Sequence, residues 1–206
     1  MLTRIAVLVS GGGTNLQALL DAQDVGALHS GHIELVIASR PDAYALERAK
    51  SHVIPAVCVE RKGKKQATFE AELQALLSEY RIDLIILAGF LCILSPEFVA
   101  RWPRRILNIH PALLPAFCGK GYYGLKVHEA VLARGVRVTG ATVHFVNEIP
   151  DGGEILYQKA VPVEKNDTPE SLQHRVMEQA EWVLLPRAAE QVSAEIAKEK
   201  EHDRPV

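Results

Sequence analysis

The 206-residue chain has little cysteine, no excess of basic residues and no long apolar run. Its three cysteines, Cys58, Cys92 and Cys118, are odd in number and widely spaced. That fits neither a disulfide framework nor the close ligand pairs of a zinc site, and it points to a reduced, cytoplasmic setting without a metal. Lys and Arg number 23 against 25 Asp and Glu, a formal charge of −2. A general role on nucleic acid or an anionic membrane is therefore not expected, while a local anion site stays open. The first apolar stretch, 5–9, is ended by glycine, too short to span a bilayer and without a secretory cleavage pattern. Linkers, repeats and low-complexity segments are also missing, so residues 1–206 read as one domain with two halves, 1–100 and 101–206. At 48% hydrophobic and 23% charged residues the composition is that of an ordinary globular chain with a proper core.

Short apolar runs alternate with longer amphipathic ones through the first half, the pattern of strand and helix units in a parallel sheet. Strands are expected at 5–9, 33–39, 56–59 and 84–88, buried on both faces because their β-branched and leucine content is nearly continuous. Helices are expected at 15–22, 43–51 and 66–80, where Phe69, Leu73, Leu76 and Leu77 recur at helical spacing. A doubly wound α/β sheet follows, with ligands bound beyond the carboxyl ends of its strands. After Ala88 the rhythm changes. A short helix at 96–101 precedes a strand ending at Asn108, and Pro111 and Pro115 force an irregular loop. A helix at 125–134 is followed by two antiparallel strands, 138–146 and 154–163, about the turn Pro150-Asp151-Gly152-Gly153. A long helix from 169 to 198 closes the fold, and the charged tail 198–206 is expected to fray.

The segment Ser10-Gly11-Gly12-Gly13-Thr14-Asn15 leaves a buried strand and opens a helix, so free backbone N–H groups collect at a helix N-terminus, where phosphate binds. It lacks the lysine of a Walker loop, and Leu16 stands where a dinucleotide fingerprint has its third glycine. A single phosphate is favoured over a nucleoside triphosphate or dinucleotide; the plain alternative is a tight turn capped by Thr14 or Asn15. In the second constellation, Asn108-Ile109-His110-Pro111, residues i and i+2 of an extended segment share one face. An amide donor beside an imidazole suits acyl transfer, the one stabilising an oxyanion and the other moving a proton near neutral pH. Asp151 before two glycines reads first as a turn former, yet a fold that carried it across 41 positions to His110 would hold that imidazole. His144 reads as a satisfied structural histidine, Cys92 and Cys118 as inert. Phe90, Leu91, Ile93 and Leu94 form an apolar patch suited to core packing or to a flat aromatic ligand.

These residues carry a resemblance. The glycine loop with Leu16-Gln17, Ala88-Gly89-Phe90, Asn108-Ile109-His110-Pro111 with Leu113-Leu114-Pro115-Ala116-Phe117, Thr139-Gly140-Ala141-Thr142-Val143-His144-Phe145 and Asp151-Gly152-Gly153 resemble the phosphoribosylglycinamide formyltransferases, folate-dependent enzymes of purine synthesis. Formyltetrahydrofolate transferases and hydrolases of this fold all share the Asn-x-His and Leu-Leu-Pro motif; the glycine loop narrows the match. The resemblance implies the formyltransferase fold, Rossmann-like and doubly wound, mostly parallel with antiparallel strands in the C-terminal half. It also implies small-molecule substrates, 10-formyltetrahydrofolate as formyl donor, and a monomer or homodimer. By it the half 1–100 binds the ribonucleotide phosphate, and 101–206 binds folate and carries the chemistry. Asn108, His110 and Asp151 become the catalytic trio. Gly11, Gly12, Gly13, Thr14 and Asn15 take the ribonucleotide with Glu181 on its ribose. Gln66, Leu87, Phe90, Leu91, Cys92, Ile93 and Leu94, with Asn108 and Asp151, face the folate, closed over by 147–151.

The chain departs from that pattern in places. Cys92 and Gln66 stand where many members have basic residues on the glutamate tail, with Lys64 or Lys65 as substitutes. The stretch 118–124, with Lys120 and Tyr123, is longer than in many relatives. A one-residue slip before Glu181-Trp182 leaves Glu178 as a second candidate for the ribose. The alternatives are a formyltetrahydrofolate hydrolase, whose relatives carry an added amino-terminal module where this first strand begins almost at Met1, and a non-catalytic nucleotide-binding module.

Overall fold

A computed structural model describes residues 1–202. Among them, strands β1 (Thr3–Val9), β2 (Gly31–Ala38), β3 (Ala56–Cys58), β4 (Leu84–Leu87), β5 (Ile106–His110), β6 (Val138–Phe145) and β7 (Ile155–Pro162) form one sheet in the order β3-β2-β1-β4-β5-β6-β7. The first five run parallel, and β6 is antiparallel to both β5 and β7. The chain builds outward from β1 in one direction and then returns to build from β4 in the other. The β1/β4 junction is thus a topological switch point, with its crevice at the carboxyl ends.

Alternation along β1 explains why its residues 5–9 are apolar throughout. Ile5, Val7 and Val9 face one core with Leu16, Leu19 and Leu20 of α1 (Thr14–Asp24) and Leu185, Ala189 and Val192 of α7 (Trp182–His202). Ala6 and Leu8 face the other, with Phe69, Leu73 and Leu77 of α3 (Gln66–Glu79). Helices α2 (Ala45–Ser51), α4 (Pro96–Val99), α5 (Leu125–Arg134) and α6 (Pro169–Val176) complete the layers. Thr168 and Ser171 form a reciprocal capping box that starts α6, with Pro169 in its first turn. No helix of the described residues is long and apolar enough to cross a membrane.

Three expectations are corrected. Strand β3 is an edge strand, exposed at Ala56 and Cys58 rather than buried on both faces, because only β2 pairs with it. The helix expected over 169–198 is broken into α6, a π-helical turn at Met177–Glu181, and α7. The expected frayed tail is helical as far as His202, and residues 203–206 lie outside the described residues. Lys200 pairs with Asp83, and Glu199 with Arg105, which tie the last turns of α7 to the sheet.

Leu77 is fully buried between α3 and the sheet. Leu77→Ala should lower the unfolding free energy by about 2–5 kcal/mol in denaturant titration, through lost transfer energy and a residual cavity. Glu79→Gln on the exposed side of the same helix should stay within about 0.5 kcal/mol.

Candidate active site

Strand β1 delivers the chain into the glycine loop, whose shape requires glycine at one position in particular. Gly13 caps α1 in the left-handed conformation, φ +73°, and a Cβ there would lie 2.7 Å from the Ala45 Cβ. The loop is held from the α2 side: Ala45 N–H donates to the Gly11 carbonyl at 3.2 Å and Arg48 Nε to that of Gly12 at 2.8 Å. Helical bonding in α1 begins with Gln17 N–H to the Gly13 carbonyl at 2.9 Å. The N–H groups ahead of it have no partner inside the helix, the general feature on which the expected phosphate site rests.

The π-helical turn separates the two glutamates onto different faces. It inserts one residue into the helix and advances the register. Glu181 thereby turns inward, 4% exposed, and accepts from Asn15 Nδ2 at 2.6 Å. Glu178 points outward beside His174, with half of its side chain exposed. Burial pushes the Glu181 carboxyl up to about 7, against the opposing pull of Asn15. The Asn15 Oδ1 is buried without a hydrogen-bond partner. Thr14 and Arg48 also line a separate cavity of about 310 Å³ with Trp182.

At the end of β5, Asn108 and His110 share a face as expected, while Ile109 enters the core on the other side. The strand continues through His110, two residues past its expected end. Its antiparallel pairing with β6 sets Asn108 opposite His144 and His110 opposite Thr142. His144 Nδ1 lies 2.8 Å from the Phe145 carbonyl, which can only accept, so Nδ1 carries a proton. Its Nε2 then accepts from Asn108 Nδ2 at 3.1 Å, which fixes the amide. His144, read from the sequence as merely structural, therefore belongs to the site; a lone histidine in an alternating strand gives no sign of what the neighbouring strand holds. Thr142 is a second omission: its hydroxyl donates to the Ala112 carbonyl at 2.7 Å and accepts from Leu114 N–H at 3.1 Å, pinning the loop between the prolines.

Asp151 does reach His110. Its Oδ1 lies 3.8 Å from His110 Nδ1 and 3.7 Å from His144 Nε2. These contacts are electrostatic at that range rather than hydrogen-bonded. The turn folds back tightly enough that a Cβ on Gly153 would stand 1.8 Å from the Phe145 carbonyl oxygen. His110 Nε2 donates to the Phe117 carbonyl at 2.8 Å, which leaves Nδ1 as the nitrogen facing Asp151. Burial lowers the His110 pKa, and the Asp151 charge and the Phe117 carbonyl offset this only in part. Burial also pushes the Asp151 carboxyl up, but the facing His144 and His110 imidazoles and the hydrogen bond from the Gly119 N–H outweigh it, leaving the pKa below its ordinary value.

These groups open onto a cavity of about 360 Å³ lined by Leu87, Phe90, Leu91, Cys92, Ile93 and Leu94 on one wall and by 146–148 with Pro150 on another. Leu91 and Ile93 are 54% and 62% exposed, while Leu94 is buried and Phe90 packs on the core beneath them, so the apolar patch is divided between surface and core. Lys120, Tyr122 and Tyr123 line it too. Gln66 does not. Its amide donates to the Ile93 carbonyl at 3.0 Å and to Glu70, and accepts from Arg61 at 3.0 Å, so it braces the wall from behind. Lys64 is paired with Glu72. Among the described residues no three His, Cys, Asp or Glu side chains are grouped to hold a metal ion.

Residues 3–188 match the family model for formyl transferase. The chain is 46% identical over 177 residues to the chloroplastic phosphoribosylglycinamide formyltransferase of Arabidopsis thaliana, over 84% of this chain and 60% of that protein. It is 41% identical over 184 residues to the phosphoribosylglycinamide formyltransferase of Haemophilus influenzae, over 89% and 84%. The crystal structure of glycinamide ribonucleotide transformylase 1 from Symbiobacterium toebii superposes with a TM-score of 0.87 at 40% identity, over 93% of this chain and 88% of that one. The chain spans 60% of the length of the Arabidopsis relative.

The raised Glu181 pKa has a definite sign for stability. Between the ordinary carboxyl value of 4.5 and about 7 the folded protein binds more protons than the unfolded chain, so stability falls as pH rises through that window. Glu181→Gln removes the titration. Denaturation midpoints of the ligand-free variant should fall less across that window than those of the parent; parallel curves would disprove the burial effect.

Proposed function

The chain belongs to the formyl transferase family, and on that premise we propose that it moves the formyl group of 10-formyltetrahydrofolate onto the amine of 5′-phosphoribosylglycinamide. The products are formylglycinamide ribonucleotide and tetrahydrofolate, a step of de novo purine synthesis. The observation that carries this reading is the meeting of Asn108, His110 and Asp151 at the wall of an apolar cavity. The glycine loop adds a phosphate site on the same carboxyl edge of the sheet.

The roles follow from the atoms. A lowered His110 pKa keeps the imidazole uncharged near neutrality, with its Nδ1 lone pair towards Asp151. As the glycinamide nitrogen attacks the formyl carbon, a C–N bond forms and the amine proton passes to His110. The formyl oxygen becomes an oxyanion beside the Asn108 amide and the new imidazolium. Preorganised donors of this kind stabilise charge that develops in the transition state. The imidazolium then gives its proton to N10 of the folate as the carbon–N10 bond breaks. Asp151, held ionised, favours the charged imidazolium at the stage where it exists.

Leu87, Phe90 and the backbone from 91 to 94 would hold the pterin, with 147–151 across from them. The phosphate would rest on Gly11, Gly12, Gly13 and Thr14, with Glu181 and Asn15 towards the ribose. Arg48, bound to the Gly12 carbonyl, adds a cation beside the loop. The free thiols of Cys58, Cys92 and Cys118 suit a reduced cytoplasm.

Purified protein mixed with 10-formyltetrahydrofolate is expected to deformylate it only when glycinamide ribonucleotide is present. Turnover independent of the ribonucleotide would mean that water is the acceptor and the protein a hydrolase. His110→Ala should lower kcat by about 10²–10⁴-fold, the scale of acid–base catalysis, while both substrates still bind. Transfer at the parent rate would remove His110 from the chemistry.

A further inference from the structure

The catalytic pair is held from behind by backbone rather than by other side chains. The Phe117 carbonyl accepts from His110 Nε2 at 2.8 Å, and the Gly119 N–H donates to Asp151 Oδ2 at 2.9 Å. Both groups come from a three-residue stretch in which Phe117 and Gly119 have left-handed φ, +50° and +83°. Two successive reversals aim a carbonyl at one catalytic residue and an N–H at the other. The Phe117 ring packs against the core and meets Tyr122 edge-on at 6.4 Å, which fastens the stretch to the fold and to the cavity wall.

We propose that residues 117–119 are a positioning clamp, setting the His110 tautomer through the Phe117 carbonyl and the Asp151 orientation through the Gly119 N–H. The inference rests on His110 and Asp151 being the reacting pair. A carbonyl at Nε2 can be satisfied only by N–H, so Nδ1 is the nitrogen left to take and return a proton. Asp151 carries two oxygens: with Oδ2 fixed by Gly119, Oδ1 is the one presented to His110. Held at 3.8 Å, it supports the imidazolium without capturing the proton. The other titratable groups facing His110 are His144 from β6 and His128 from α5, the latter fully buried, pushed down to about 4 and so uncharged near neutrality. Lys120 and Glu148 share the cavity wall.

Glycine geometry supplies a clean probe. A Cβ on Gly119 would meet nothing within 4 Å, so Gly119→Ala acts only by straining the left-handed backbone that aims its N–H. Gly135, after α5, has φ +72° and equally open surroundings, and Gly135→Ala is the strain-matched control. Gly119→Ala is expected to lower kcat by about tenfold or more with KM for the ribonucleotide nearly unchanged, because small misplacements of catalytic groups are costly. The His110 pKa, read by NMR titration of its ring, should fall, since Asp151 no longer raises it from its set position. The control should match the parent in both. Equal kcat and equal His110 titration in the two variants would overturn the clamp.

One measurement needs no variant. In the parent protein the Gly119 amide proton should resonate downfield and move upfield as Asp151 is protonated; an amide indifferent to that titration also overturns the proposal. The NMR readouts remain informative if no transferase activity is found, so failure of the clamp is distinguishable from failure of the proposed reaction.

Discussion

The site depends on one pairing, β5 against β6. Parallel strands alone would leave Asn108 and His110 at a sheet edge with open backbone groups. The antiparallel partner closes that edge and delivers two things at once. Across from Asn108 it places His144, whose proton on Nδ1 forces a lone pair towards the Asn108 amide. Beyond Phe145 it leads into the turn that returns Asp151 to the strand end, a turn so close to the strand that Gly153 admits no Cβ. A slip of β6 by one residue in this register would send His144 to the face of the sheet opposite Asn108 and His110, since side chains alternate with period two.

Burial acts on His110, Glu181 and Asp151, but with different outcomes. It lowers His110, a base whose charged form loses hydration, and raises Glu181, an acid, to about 7. Asp151, less buried than Glu181, feels a penalty of the same sign yet ends below its ordinary value, because a backbone N–H and two imidazoles face it. Glu181 has only the Asn15 amide. The difference in partners fits the tasks proposed for the two groups. A carboxylate proposed to support a transient imidazolium is kept ionised in advance, whereas one proposed to meet a ribose is left short of partners, like the neighbouring Asn15 Oδ1.

Much of the fold could be read from the sequence because it is encoded locally. Strand β1 is apolar on both faces because it is buried on both, and the Phe69, Leu73 and Leu77 repeat of α3 faces a core. The glycine loop and the shared face of Asn108 and His110 are short-range features of the same kind. What could not be read is what the third dimension adds. His144 meets Asn108 and Asp151 only through a cross-strand register that no local pattern records. Gln66 stands at the right place in the chain but turns away, because Arg61, Glu70 and the Ile93 carbonyl occupy its amide. Edge exposure of β3 reflects sheet order, and the fastening of α7 depends on Asp83 and Arg105, each more than ninety positions from its partner.

The proposed transfer between two bound substrates also needs their sites held at fixed separation, and a small polar contact would contribute to that. The Ser10 hydroxyl, at the mouth of the glycine loop, accepts from the Leu91 N–H at 2.9 Å and bonds the Ser39 hydroxyl at 2.7 Å. It thus joins the carboxyl ends of β1 and β2 to the segment after β4 that forms the apolar cavity wall. Ser10 is 2% exposed, so these bonds compete little with water. Across the switch point, where no crossover helix links β1 directly to β4, such a buried hydroxyl ties the glycine loop to the apolar wall. The strands beneath are already packed; the loops above them are not, and their relative placement is what a bimolecular transfer requires.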